Sequence, residues 1–382
     1  MSVNRKSSNF IALWTMLGIL CTTSAQATRV SLQEEQKQPV DLVIALDVSG
    51  SMSGLIDSAK QRLWDIVNEL AQANPQPDLR MAILTYGNPS YGEQSGFVRI
   101  DMPFTRDLDA INQTLFSFGT NGGDEYVSRV IHRSLTDLKW SDNPDALKIL
   151  FVAGNEEADQ DPEMSVGFVS KVAANNGIVV NTIYCGGEND AIVAGWREFS
   201  TLTNGLFASI NQDVAAVANI ATPMDDQLVE LNKELNETYI AFGKDGDARK
   251  ANQIEQDKNS ETMSAPSIAS RTLTKISALY DNTKWDLVDA FESGAPVADM
   301  KTEDLPEPMQ TMNVEEREEY VEELAAKRQS ISARIQEIGG RRDAYIDAER
   351  AQLSGDADAG LDTAIIGGVR ELAEKKGFEF EN

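Results

Sequence analysis

Between residue 40 and about residue 220 the chain alternates short β-branched apolar runs with longer amphipathic ones, and few folds accept that alternation. The apolar runs are VDLVIAL (40–46), MAILTYG (81–87), FVRIDM (97–102), LKILFVA (147–153), GIVVNTIYC (177–185) and LFASI (206–210). Three of them are apolar almost without a break. That suits central parallel strands covered on both faces, because a strand with one face in water alternates instead. The stretches near 54–73, 106–117, 124–139, 163–175, 189–203 and 212–222 carry helical spacing. Asp107 and Asp124 stand near helix starts, where unpaired backbone N–H groups favour acidic side chains. The turn NPSYGEQSG between the second and third runs is too short for a helical crossover, so FVRIDM is expected to run antiparallel at the sheet edge. The reading is an α/β domain over 40–222, a doubly wound and mostly parallel sheet that binds ligands beyond the carboxyl ends of its strands.

The first strand ends in DVSGSM, residues 47–52. Alternate residues of an extended segment point the same way, so Asp47, Ser49 and Ser51 can present oxygen atoms to one point above the sheet, and Gly50 permits the tight turn. Oxygen ligands without imidazole or thiolate suit hard cations, Mg²⁺ first, then Mn²⁺ or Ca²⁺. Two further loops stand at candidate strand ends. TNGGDEY (120–126) holds Asp124 and Glu125, and AGNEEADQD (153–161) holds Asn155 and Glu156. The competing reading of DVSGSM is an ordinary strand-to-helix turn in which Ser51 or Ser53 caps the helix.

DVSGSM resembles the DxSxS metal-ion-dependent adhesion site (MIDAS) signature of von Willebrand factor type A (vWA) domains, TNGGDEY resembles that family's second metal loop, and VAGNE its third. The resemblance covers about 40–220 and implies a Rossmann-like α/β fold with a divalent cation held by Asp47, Ser49 and Ser51. In the best-known members the second loop gives a threonine hydroxyl to the metal. Here the matching position is Glu125, with Asp124 and Thr120 beside it, and the usual aspartate of the third loop is matched by Asn155 or Glu156. The family's partners complete the metal shell with an acidic side chain. The combination of TNGGDEY, LFVAGNE, VVNTIYCG, DNTKWDLVDAF, LPEPM and VRELAEKKGFEFE is similar to exported bacterial vWA proteins with a helical C-terminal region.

Composition narrows the function. With 34 Lys and Arg against 61 Asp and Glu, the net charge is -27, which excludes a phosphate-binding surface and so nucleic acid as a partner. Arg5 and Lys6, then FIALWTMLGIL, then Ala25-Gln26-Ala27 have the order of a secretory signal peptide over 1–27, followed by a linker at 28–39. The mature protein is expected to be exported, to the periplasm or to the cell surface and beyond, with no membrane span after cleavage. Cys185 is then the only cysteine and His132 the only histidine, and there is no G-x-S-x-G elbow, so a hydrolase is disfavoured and the protein is read as a non-enzyme.

The rest, 223–382, reads as all-helical: a helix at 225–242, a polar stretch at 243–266 that is either a helix or a connector, one or two helices over 267–294, and a loop marked by Pro296, Pro306 and Pro308. A long charged helix follows over about 313–352. Val314, Val321 and Ile335, with Leu324, Ile331, Ile338 and Tyr345, fit a coiled-coil heptad there, interrupted by Arg317, Arg328 and Arg342 and weakened by Gly339-Gly340. That stripe serves an intramolecular hairpin or self-association. A last amphipathic helix, 361–380, is expected to dock on the body. Two functions remain: an exported, metal-dependent protein-binding module with an unidentified partner, or an oligomerising envelope protein whose vWA domain is a metal-free scaffold.

Overall fold

The structure is a computed structural model that describes residues 37–50, 52–209, 220–353 and 359–380, with the side chains of 353 and 359–365 outside the description. The leader over 1–27, most of the linker, Ser51 and most of the helix expected at 212–222 lie outside the described residues.

The strands of the α/β half are β1 (Gln38–Asp47), β2 (Ala73–Asn74), β3 (Pro77–Tyr86), β4 (Val98–Thr105), β5 (Leu147–Gly154), β6 (Val179–Tyr184) and β7 (Phe207–Ser209). Its helices are α1 (Ser53–Ala71), α2 (Leu108–Phe116), α3 (Val127–Asp137), α4 (Val166–Asn175) and α5 (Val193–Leu202). The main sheet has the order β4-β3-β1-β5-β6-β7. All its pairings are parallel except β3 with β4, so the short turn does make an antiparallel edge strand. β1 starts at Gln38, two residues before the apolar run.

Alternation along β1 divides the core. Val40, Leu42, Ile44 and Leu46 face α1 and α2, while Val43 and Ala45 face α3, α4 and α5, so both faces are covered and the strand must be apolar throughout. Since the chain turns to one side of β1 to make β3 and later to the other side to make β5, the carboxyl end of β1 lies at a topological switch point. Asp107 caps α2 through the backbone N–H of Ala110 at 3.0 Å. Asp124 does no such work, because α3 begins after Tyr126 without a side-chain cap.

The C-terminal region contains α6 (Asp225–Asn236), α7 (Gly246–Met263), α8 (Ala265–Lys275), α9 (Leu287–Glu292), α10 (Glu307–Gln310), α11 (Val314–Leu353) and α12 (Ala359–Glu374). It is not all-helical. After Gly377 the chain forms β8 (Glu379–Phe380), which pairs antiparallel with β2. The end of α12 docks as expected, with Val369, Leu372, Ala373 and Phe378 joining the core on the α1 face. Glu35–Asn382 is one compact unit.

The polar stretch after residue 243 is a helix over Gly246–Met263, and one polar face of it is buried. Gln253, Gln256, Asp257 and Ser260 of α7 are all under cover, and the side chains of Gln256, Asp257 and Ser260 meet polar partners there. Asn112 of α2 donates to Gln256 Oε1 at 3.1 Å, and the Trp64 indole of α1 donates to Ser260 Oγ at 3.2 Å.

The middle of the α11 stripe is used within the chain, while Val314 and Tyr345 at its ends are exposed. Ile331 and Ile335 pack with Leu228, Leu231 and Leu235 of α6, and Val321 packs with Leu287 and Val288 of α9. The arginines that break the stripe are buried hydrogen-bond donors to the same body: Arg317 to the Met309 carbonyl, Arg342 to Asp225, and Arg328 to Thr238, Asp286 and Asp289.

The Arg328 cluster makes stability depend on pH. Burial and the neighbouring Asp286 push the Asp289 carboxyl up to about 7, against the pull of Arg328. A raised folded-state pKa contributes stability that is full below the unfolded value and is lost as pH rises towards 7. Asp289→Asn should abolish a loss on the order of 1–3 kcal/mol between pH 5 and pH 8. Thermal unfolding of both proteins at the two pH values checks this, and parallel pH profiles would contradict it.

Candidate metal centre

Asp47 is the last residue of β1, opposite Tyr86 on β3, and is fully buried. The chain then leaves the sheet in a tight turn. The Val48 N–H donates to the Tyr86 carbonyl at 2.9 Å, the Ser49 N–H to Asp47 Oδ1 at 2.7 Å, and the Met52 N–H to the Ser49 carbonyl at 3.2 Å. This fixes one oxygen of Asp47 and leaves the other facing into the site. Ser49 is 2% exposed. The residue at the cap of α1 is Met52, which makes no side-chain cap bond, so Ser53 does not cap the helix, and Ser51 lies outside the described residues.

The second loop reaches this turn through the Asn121 N–H, which donates to the Val48 carbonyl at 2.9 Å. Gly87, just after β3, is the surface on which it rests. Its φ is +81°, and a Cβ there would stand 2.8 Å from Asp47 Oδ1 and 2.9 Å from Glu125 Cγ. Gly123 is tight for the same reason, with a Cβ position 2.9 Å from the Gly87 carbonyl. Glu125 is thereby brought under cover, 8% exposed, beside Asp47 and Ser49, whereas Asp124 next to it is exposed.

The third loop leaves β5 at Gly154, where a Cβ would meet the Tyr86 hydroxyl at 2.2 Å and Asp47 Oδ2 at 3.1 Å. The Tyr86 hydroxyl donates to the Ala153 carbonyl at 3.0 Å, tying β3 to β5 beneath the site. Asn155 is half-buried. Glu156 is exposed, its carboxylate accepting from Gln160 at 3.1 Å and its carbonyl from the Trp196 indole at 2.8 Å. The structure therefore gathers Asp47, Ser49 and Glu125, with Asn155 half-buried in the loop after Gly154 and Asp124 and Glu156 exposed. Gly87, Gly154 and Tyr86 were not singled out from the sequence. The legible signal was a glycine immediately after an apolar run, as in YG at 86–87 and AG at 153–154.

Burial pushes the Asp47 carboxyl up to about 6, although the Ser49 backbone N–H opposes it, and burial followed by the charge of Asp47 pushes Glu125 up to about 8. Two buried carboxyls share one small space, and Glu156 adds to the strain at both. Among the described residues, Asp47 Oδ2, Ser49 Oγ and Glu125 Oε2 are buried without a hydrogen-bond partner. Buried polar atoms are nearly always paired, and a buried carboxylate without a counter-charge is costly. A hard divalent cation resolves both problems, and the oxygen-only donor set fits one. Among the described residues no three His, Cys, Asp or Glu side chains converge as metal ligands.

Cys185 begins the loop after β6, and burial, then the charge of Asp47, pushes its thiol up to about 12, the reverse of an activated nucleophile. His132 is half-buried on α3, its ring 6.2 Å from that of Phe168. No described helix is long and apolar enough to cross a membrane.

No protein-family model matches the sequence, and no curated protein matches it. Solved structures are similar to slightly under half of the chain. Proximal thread matrix protein 1 from the mussel byssus, in a form with a zinc-occupied MIDAS motif, aligns with 46% of this chain and 43% of its own at 12% identity and a TM-score of 0.37. A von Willebrand factor type A protein from Catenulispora acidiphila aligns with 47% of this chain and 40% of its own at 14% identity and a TM-score of 0.35. This chain thus spans less than half the length of either. The SpRpn10 VWA domain aligns with 44% of this chain and 87% of its own at 15% identity and a TM-score of 0.35.

Proposed function

We propose that the chain is an exported, non-enzymatic protein-binding module of vWA type, in which Asp47, Ser49, Ser51 and Glu125 hold Mg²⁺, or Mn²⁺ or Ca²⁺, with Asn155 in the outer shell. An acidic side chain of a protein partner reaches the cation from the rim formed by Asp124 and Glu156. The observation that carries this reading is the trio of buried oxygen atoms, on Asp47, Ser49 and Glu125, left without hydrogen-bond partners among the described residues at the switch point of the sheet. The cation supplies Lewis acidity towards an oxygen ligand. The chain supplies its placement, since Asp47 is locked by the Ser49 N–H and Glu125 is seated on Gly87. Export rests on the leader-like order of residues 1–27.

Calorimetric titration of Mg²⁺, Mn²⁺ and Ca²⁺ into the purified protein is expected to show saturable binding that the Ser49→Ala/Ser51→Ala double variant lacks while keeping its circular dichroism. At a cation concentration 100-fold above Kd the native protein should gain about 2.7 kcal/mol of stability, removable by chelator. Identical heats from both proteins would eliminate the metal reading.

A further inference from the structure

We propose that Glu125 is a built-in carboxylate ligand that keeps the loaded centre electrically neutral, so that the acidic group of a partner must displace it. This rests on the metal reading above and concerns how the same site is regulated.

A divalent cation held by Asp47 and serine hydroxyls alone would carry one net positive charge and draw an anion to itself. Adding the Glu125 carboxylate cancels that charge. An incoming acid then meets a neutral centre rimmed by the exposed carboxylates Asp124 and Glu156, on a protein with a net charge of -27. Binding becomes favourable once one carboxylate leaves as the other arrives, since the exchange conserves charge at the cation.

The two carboxylates are held differently. Asp47 sits on a central strand, and the Ser49 N–H fixes its Oδ1 at 2.7 Å. Glu125 sits outside any helix or strand, in the loop that contains Gly122 and Gly123, and its Oε2 has no donor among the described residues. The side chains that reach the Glu125 carboxyl are Ser49 and Asp47, and since Asp47 is a carboxyl as well, a cation between the two would hold both, with Glu125 the exchangeable member because its loop is the less fixed. The seat that admits its side chain is the missing Cβ of Gly87.

The test uses the full chain, with Mn²⁺ as the cation and trifluoroacetate as a carboxylate probe whose fluorine signal broadens when it reaches bound Mn²⁺. Wild type, Glu125→Gln, Glu125→Thr and Ser49→Ala are compared by calorimetry and by ¹⁹F linewidth at Mn²⁺ saturation, after circular dichroism has confirmed folding. Both Glu125 variants are expected to bind Mn²⁺ at least roughly tenfold more weakly and, once saturated, to broaden the probe several-fold more than wild type. The glutamine keeps the bulk and removes the charge, so agreement between the two variants assigns the effect to charge. If Ser49→Ala loses Mn²⁺ but wild type broadens the probe as strongly as the Glu125 variants, the role of Glu125 is overturned and the metal site stands. If Ser49→Ala binds Mn²⁺ as wild type does, both readings fall.

Discussion

Arg271→Ala is expected to destabilise the protein by about 3–5 kcal/mol, the range for removing one partner of a buried ion pair, with a fall in Tm of roughly 10 °C. Arg271 on α8 is fully buried where the helical region meets the α/β half. Its Nε donates to Asp257 Oδ1 on α7 at 2.6 Å, its Nη2 to the Gln253 carbonyl at 3.1 Å, and its Nη1 lies 2.8 Å from Asp109 Oδ1 on α2. The guanidinium also covers the Trp64 ring of α1 at 4.8 Å. Lys275 donates to Asp257 Oδ2 at 2.9 Å and to Asn232 at 2.8 Å, and Tyr280 donates to Asp109 Oδ2 at 2.7 Å. Two acids and two bases thus balance within one dry space. Burial alone would raise the Asp257 carboxyl, but Lys275 and Arg271 together hold it well below its usual range. Deleting Arg271 leaves the cluster with an excess negative charge and a cavity against Trp64. Arg271→Met, which keeps the volume, should also be destabilising because Lys275 is then left as the one base of the cluster for two buried acids. Thermal and denaturant unfolding of the two variants would measure this, and a loss under 1 kcal/mol in both would show that the cluster does not join the halves.

Gly87→Ala is expected to weaken cation binding by roughly 10- to 100-fold, as loss of a supporting contact at a metal site does. The new Cβ would fall 2.8 Å from Asp47 Oδ1 and 2.9 Å from Glu125 Cγ, so one of the two ligands must move. The left-handed backbone at φ +81° adds about 1–2 kcal/mol of strain of its own. Gly177→Ala separates the two effects. Gly177 has φ +67° with nothing within 4 Å of its Cβ position, so its variant bears a backbone cost and should bind metal as wild type does. Equal affinities for the two alanine variants in calorimetry would refute the steric role of Gly87.

The path to these sites shows where local sequence carries information. β1, β3, β5 and β6 were legible because a strand covered on both faces must be apolar along its length. Asp47 and Ser49 were legible because a period of two at a strand end fixes where side chains point. The seat of Glu125 was not, since it depends on what Gly87 lacks and on a loop that arrives from more than thirty residues away. Polarity misled in the helical region. Nothing local to α7 distinguishes a solvated glutamine from Gln256, whose partner Asn112 lies 144 positions earlier. The arginines of α11 looked like breaks in an apolar stripe until Thr238, Asp286 and Asp225 were placed against them.

From the sequence alone came the alternation of strands and helices, the antiparallel edge and the chemical character of the DVSGSM turn, because backbone periodicity and turn length are properties of adjacent residues. Only the tertiary structure decided that β1 lies between β3 and β5, that Glu125 rather than Asp124 enters the site, that β8 closes on β2, and that a buried quartet of charges joins the two halves. Those features depend on pairing between distant groups, and a buried polar group is stable only when its partner arrives with the right charge and distance.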